Sequence, residues 1–545
     1  MKKFINIILL FISLFLFADC NAQFQQVWVQ RYSSTGSNTD EAKSIVVDTG
    51  GNVYVTGFAF GSNSNNDYAT IKYNSGGVQQ WIAFYNGPIN GSDAAVAIAV
   101  DRSGNIYVTG NSGGPSFQTD FATIKYNSSG TQQWVTRYER PGDNAVNALT
   151  IDDSANVYIT GHSTGSSSND DYTTIKYNSS GLQQWVQIYN GPGNGIDGAR
   201  SIAVDTSGNV YVTGFSTGSG TGRDYCTIKY NAAGVQQWVS RYNGPQSAGD
   251  EAYSLALDVS GNVYVTGSSY GGNSDLDCVT IKYNSSGVQQ WVQTYNGPGN
   301  SIDVGNCVAV DFNGNVIVGC SSYGVSSRSD YCVIKYNPNG VQQWVSRYDG
   351  PPGNGNDFIS AIALDTVNNI YVTGFSEPVY SGIFDYATVK YNSSGVQQWV
   401  LRYNGPANLD DEAYGIALDK NGNVFVTGRS EGSVNDYDYA TIKYSLAVGI
   451  QHTSNEILEN FALDQNYPNP FNPSTKIKFA VPKSAYAKLA IYDILGREIS
   501  TLVNEQLKPG TYEVDWNASN FPSGVYFFKL NINSFIETKK MILIK

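Results

Sequence analysis

The sequence is poor in the residues that most often do chemistry. Among 545 residues there are two histidines, His162 and His452, and six cysteines. Two histidines exclude a multi-histidine metal centre, and neither sits in a context that suggests a Ser/His/Asp triad. Cys20 lies in the N-terminal leader, and the other five cysteines fall at irregular positions, which is not a disulfide framework. Charge is scarce as well, at 14% of residues, with a net of −13. That acidic balance argues against nucleic acid and anionic membrane as partners. After the leader, no apolar run is long enough to cross a membrane.

What the chain has in quantity is glycine (57) and tyrosine (39), a composition of short strands joined by turns. Residues 1–22 read as a signal peptide: Lys2 and Lys3 supply the positive start, Phe4–Phe17 the apolar run, and Ala22 the small residue before cleavage. Cys20 raises a lipoprotein reading, but Asp19 stands where that signal needs a small residue. The expectation is an exported chain, secreted or at the cell surface.

Tryptophan recurs at 28, 81, 134, 185, 238, 291, 344 and 399, and a Lys-Tyr pair recurs in step with it, with its lysines from Lys72 to Lys443. This makes eight copies. One copy reads as four strands: Ala199–Asp205, Asn209–Gly214, Asp224–Tyr230 and Gln237–Tyr242. Four strands in a unit of this length predict a β-propeller blade; a parallel β-helix is the rival, with shorter coils and no hairpin at each corner. Between the first two strands every copy has Asp-x-x-x-Asn, beginning at Asp48 and ending with the copy at Asp419. The fourth position is Gly in six copies, Asn368 in one and Ala155 in one; at Ala155 we expect strain or a different turn. The array starts on a lone fourth strand at Trp28 and ends on a third strand at Tyr444. Pairing these would close the eighth blade from both ends and remove an open edge.

The repeat core, DTSGNVYVTG at 205–214 with its counterparts, resembles the seven-bladed β-propeller repeat (SBBP) family. The resemblance implies a propeller, here with eight copies, and no general activity. Residues 446–460 lose the repeat and are expected to be a linker. Residues 461–545 carry NYPNPFNP (466–473), Tyr492–Gly496, Gly524–Tyr526 and a terminal lysine-rich strand. This module resembles the type A C-terminal sorting domain of the type IX secretion system. Strand-like runs separated by Pro and Gly predict a small immunoglobulin-like β-sandwich, and the resemblance implies the secretion machinery as a partner and passage across the outer membrane by way of the periplasm. The predicted fold class is thus all-β, a propeller of residues 23–445 followed by a small sandwich.

Turns after the first and third strands are short and alike in every copy. The loops after the second and fourth strands vary, for example at Phe58–Asn66, Ser216–Arg223 and Glu377–Ile383. Variable loops on a rigid scaffold are the usual place of recognition. Two rings of carboxylates are expected on that face. Asp67, Asp120, Asp171, Asp224, Asp277, Asp330, Asp385 and Asp438 open the third strands. Asp40, Asp93, Asp197, Asp250, Asp303, Asp357 and Asp411 open the first strands, with Asn144 as the exception. The rings read either as binding residues for Ca²⁺ or a cationic ligand, or as caps of loop N–H groups. Ca²⁺ is the one cofactor considered. Glu139 and Arg140, where Tyr-Glu-Arg-Pro replaces Tyr-Asn-Gly-Pro, mark the most distinct loop; His162, Arg223, Arg328, Glu377 and Glu431 also occur once each. These departures are too few to predict an enzyme. The expected function is non-catalytic binding or adhesion toward a glycan or other extracellular polymer, with a structural scaffold or a polysaccharide hydrolase or lyase as alternatives.

Overall fold

The computed structural model describes residues 24–34, 39–61, 65–114, 118–165, 169–272, 275–351, 353–378, 382–433, 436–446, 451–454, 460–518 and 521–545. The expected signal peptide lies outside these residues, as does Cys20. The described residues contain strands and no helix, so none is long and apolar enough to cross a membrane. The chain divides into two compact units, one of Gln26–Ser445 and one holding Leu446–Lys545.

In the first unit, eight four-stranded antiparallel sheets follow one another. The fourth copy gives Asp197–Val204, Val210–Thr217, Arg223–Tyr230 and Gln236–Tyr242, paired in that order. Burial explains the pattern: Val210, Val212, Ile228 and Tyr230 are closed off by neighbours, while Gln236 and Gln237 stay exposed on the outermost strand. Each first strand carries a bulge, as between Ala199 and Ser201. First strands pack against the first strand of the next sheet, and Asp411–Leu418 packs on Glu41–Val47, so the series returns to its start. The last sheet takes strands from both ends of the array, because Phe24–Tyr32 lies beside Asp436–Leu446. This is a β-propeller.

The Asp-x-x-x-Asn turns share one scheme of Asp–Asn hydrogen bonds, joined in six copies by a tyrosine hydroxyl whose place Ile317 and Phe425 take in the other two. In the fourth copy Asp205 Oδ1 accepts the N–H groups of Ser207 and Asn209, and Oδ2 accepts Asn209 Nδ2 and Tyr211 Oη, at 2.8–3.1 Å. The turn survives where glycine is missing: Ala155 keeps it by adopting φ 60° and Asn368 by φ 65°. Asn tolerates this left-handed region, whereas an alanine there is strained.

Adjacent sheets are latched at one repeated point. Trp185 Nε1 and Lys176 Nζ of the third sheet both donate to the carbonyl of Ala232 in the fourth, at 3.2 Å each. The indole rests on Gly234, where an added Cβ would come within 2.7 Å of the ring. The pair of Trp28 and Lys443 reaches Ser75 of the first sheet in the same way, joining the last copy to the first. The repeated lysines therefore hold carbonyls of the next sheet. Lys335 in addition pairs with Asp311 at 3.3 Å, in the copy where Ile317 replaces the turn tyrosine.

In the second unit two four-stranded sheets share one core. One runs Gln451–Ser454, Gly510–Asn517, Ser474–Val481, Ala462–Leu463; the other Glu498–Leu507, Ala485–Tyr492, Gly524–Ile532, Phe535–Leu543. Ile477, Val514 and Trp516 from the first meet Leu489, Phe528 and Leu530 from the second. The segment expected to be a linker, 446–460, thus contributes a strand at Gln451–Ser454 to this sheet.

Candidate functional site

The antiparallel order puts the variable loops and both carboxylate rings at one end of the propeller. The rings are not displayed to solvent. Asp40, Asp93, Asp197, Asp250, Asp303, Asp357 and Asp411 are fully buried, and Asp67, Asp120, Asp171, Asp224, Asp277, Asp330, Asp385 and Asp438 are at most 9% exposed. The first-strand aspartates cap the loop that precedes them: the N–H groups of Gly87, Gly191, Gly244, Gly297, Gly350 and Gly405 donate to them at 2.6–2.9 Å. Asp40 accepts instead from Ser34 and Phe60.

The exception, Asn144, follows from its loop. There the carbonyls of Arg140 and Gly142 face the side chain, so a donor is needed, and Nδ2 supplies it at 2.9 and 3.1 Å. The same amide reaches Asp120 Oδ1 at 3.3 Å. The two rings therefore meet across each sheet boundary. Burial and the facing Asp93 push Asp67 up to about 6. Asp357 also rises to about 6 through burial and the neighbouring Asp349 and Asp330, and Asp411 does so through burial and Asp385.

The third-strand aspartates have a cation that the sequence reading did not assign: the arginine three residues after the repeated tryptophan. Arg241 donates to Asp224 at 2.8 Å, to Ser216 Oγ at 2.7 Å and to Tyr189 Oη of the preceding sheet at 3.4 Å. Arg137, Arg347 and Arg402 make the same three contacts, and Arg31 does so with Asp438, Ser430 and Tyr403.

Three sheets lack this arginine, because Phe84, Ile188 and Thr294 hold the position. In the third sheet Arg140 takes over, donating to Ser163 Oγ at 3.1 Å and easing the charge of Asp171. The odd Tyr-Glu-Arg-Pro loop thus delivers a replacement guanidinium, while the exposed Glu139 pairs with Arg137 at 3.0 Å. In the first sheet Phe84 and Ala59 occupy the arginine and serine positions, leaving no polar cradle. In the fifth sheet the position remains open: a cavity of about 170 Å³ is lined by Asp277, Ser269, Tyr242, Thr294, Pro245 and Tyr270, among others.

Other single residues are also accounted for. Glu377 is buried and accepts from Asn356 and from the Gly382 N–H, Arg223 pairs with Glu251 across Phe215, and His162 is held neutral by burial 3.9 Å from Asp170. The five described cysteines are buried and unbridged. Among the described residues one group of three carboxylates, Asp330, Asp349 and Asp357, brings an oxygen from each within 4.8 Å of the others, although Arg347 already holds Asp330. Asp349 replaces the asparagine of the common loop and was not singled out by the sequence reading.

In the C-terminal unit the NYPNPFNP motif and the last strand form one piece. Asn466 Nδ2 donates to Thr475 Oγ1 at 2.9 Å and to the Pro468 carbonyl at 3.0 Å. Phe471 N–H donates to the Ile542 carbonyl, and Ile542 N–H to Asn469 Oδ1.

Comparison with known proteins agrees with both units. Residues 465–545 match the secretion system C-terminal sorting domain. Six segments, 27–59, 88–117, 133–167, 184–220, 237–273 and 398–434, match the β-propeller repeat. An uncharacterised WD repeat-containing protein of Acanthamoeba polyphaga mimivirus is 24% identical over 442 residues, covering 72% of this chain. The chain spans only 28% of that relative's length. Among solved structures, PorZ, an essential bacterial surface component of the type IX secretion system of Porphyromonas gingivalis, is 14% identical. That match covers 92% of this chain and 74% of PorZ, with a TM-score of 0.29. A protein of unknown function from Dyadobacter fermentans is 10% identical over 78% of this chain and 99% of its own, with a TM-score of 0.36. The chain carries β-propeller repeats of the SBBP type followed by a type IX secretion C-terminal sorting domain, which places it outside the cell or on its surface.

Proposed function

We propose that this is a non-catalytic binding or adhesion protein whose propeller, residues 23–445, recognises a glycan or other extracellular polymer through its variable-loop end. The module at 461–545 would bring it to the surface through the type IX machinery. One observation carries the reading: the turn end repeats a single hydrogen-bond scheme, while the other end varies in loop sequence from sheet to sheet. Polar loops rich in Gly, Ser, Asn and Tyr suit a polar ligand with adaptable hydrogen bonds.

The test is a polysaccharide array probed with the purified protein, once with Ca²⁺ and once with a chelator. Selective binding without turnover supports the proposal. Binding lost on chelation would assign a metal to the loop end, where Asp330, Asp349 and Asp357 offer the densest oxygen set among the described residues. Turnover of a bound polysaccharide would replace the proposal by a hydrolase or lyase. A blank array would leave a structural scaffold.

A further inference from the structure

The fifth-sheet cavity has the polar walls of a cradle that other sheets build around an arginine. In five sheets an aspartate, a serine and the tyrosine of the preceding sheet hold the guanidinium of a strand-four arginine. In the third sheet a loop arginine, Arg140, serves the same cradle from another direction. The fifth sheet keeps all three cradle residues, Asp277, Ser269 and Tyr242, but has Thr294 in place of the arginine, and the cavity opens there.

One detail shows that no cation of the described chain fills it: Asp277 is 8% exposed and has no salt bridge among the described residues, while Ser269 Oγ lies beside Asp250 and Tyr242. Burial and the facing Asp303 raise the Asp277 pKa, with no arginine opposing the rise as Arg137 and Arg347 do at Asp120 and Asp330. The volume, about 170 Å³, is several times the ~30 Å³ share of one water molecule in the liquid. A flat guanidinium can satisfy a carboxylate, a hydroxyl and a phenol together, which a compact ammonium does less well.

We propose that this cavity is a receptor for an arginine side chain presented by a partner polypeptide. The site belongs to the loop end but does not depend on polymer recognition. The arginine would enter past Pro245 and Tyr270 and take the place that Arg241 holds one sheet earlier. The same sequence thus supplies six occupied cradles as a pattern for the one left open.

The experiment is calorimetric titration of the full chain with acetyl-Gly-Arg-Gly-amide and with its lysine counterpart at millimolar concentration. The arginine peptide should bind at least about tenfold more tightly than the lysine peptide, a difference in binding free energy of about 1.4 kcal/mol. Thr294→Arg should weaken that binding at least about tenfold by installing the chain's own guanidinium, with no fall in Tm. Asp277→Asn, which removes a buried charge without removing a cation, should also abolish binding and serves if the first variant folds poorly. Equal affinity for the two peptides, binding retained in both variants, or no binding of the arginine peptide would overturn the proposal.

Discussion

At the turn end of the propeller Asp205 holds four donated hydrogen bonds, whereas at the loop end Asp67 has no cation among the described residues and faces Asp93. Burial works against the charge in both places. At Asp205 the bonds from Asn209, Tyr211 and Ser207 outweigh it, and the pKa falls below the ordinary value. At Asp67 nothing outweighs it, and the pKa climbs to about 6. The same residue type, repeated at both ends, therefore stabilises the charged form at one and the neutral form at the other. Repetition of an acidic residue says little about its role until its donors are counted.

The strongest way to break the comparison is to remove a turn carboxylate. Asp205→Ala should cost about 3 kcal/mol, since it takes a charged acceptor from four donors and leaves the buried Tyr211 hydroxyl unbonded. Denaturant titration of the variant against the parent would measure it, and a cost below about 1 kcal/mol would reject the account. Trp185→Ala removes the latch to Ala232 and the packing on Gly234, and should cost about 2–3 kcal/mol by the same measurement.

The loop end should respond to pH in the opposite sense. Asp67, Asp357 and Asp411 have folded-state values of about 6 against an ordinary value of 3.8. A raised value favours the folded state fully below about pH 4, and that contribution is lost as pH rises through about 6. The turn aspartates, with lowered values, contribute above their ordinary range and lose it as pH falls. Tm should therefore peak near pH 4, decline between about pH 4 and 6, and level off above about pH 7. Asp67→Asn should flatten part of that decline, raising stability by about 1–2 kcal/mol at pH 8 with little effect at pH 4. A Tm that rises steadily from pH 5 to 8 would contradict the loop-end assignment. The smallest effect concerns the strained turn: Ala155→Gly should raise stability by about 0.5–1 kcal/mol, because glycine adopts φ 60° without penalty.

The repeat, the four strands of each copy, the hairpin turns and the sorting module are legible in the sequence because each depends on residues close together along the chain. Asp48 and Asn52 are four residues apart, and NYPNPFNP is contiguous. The arginine cradles are less legible although Arg31, Arg137, Arg241, Arg347 and Arg402 recur at one position. Their partners come from three places, one of them the preceding sheet, about fifty residues away for Arg241 and Tyr189. Arg140 reads as drift in sequence, and only its approach to Ser163 reveals that it compensates for Ile188. The rings expected as candidate binding residues are mainly internal; what the loop end offers to a ligand is set by which copies depart from the pattern.

The joint sheet made of Phe24–Tyr32 and Asp411–Leu446 has a consequence for manufacture. Its first strand is made at the outset and must wait for the last repeat before it can pair. A chain interrupted anywhere before Asp436 has lost its clasp and keeps an unpaired edge. Because the sorting module follows the clasp, a chain long enough to present an address for export already holds every strand needed to shut the ring. Completeness of the cargo is thus written into the order of synthesis.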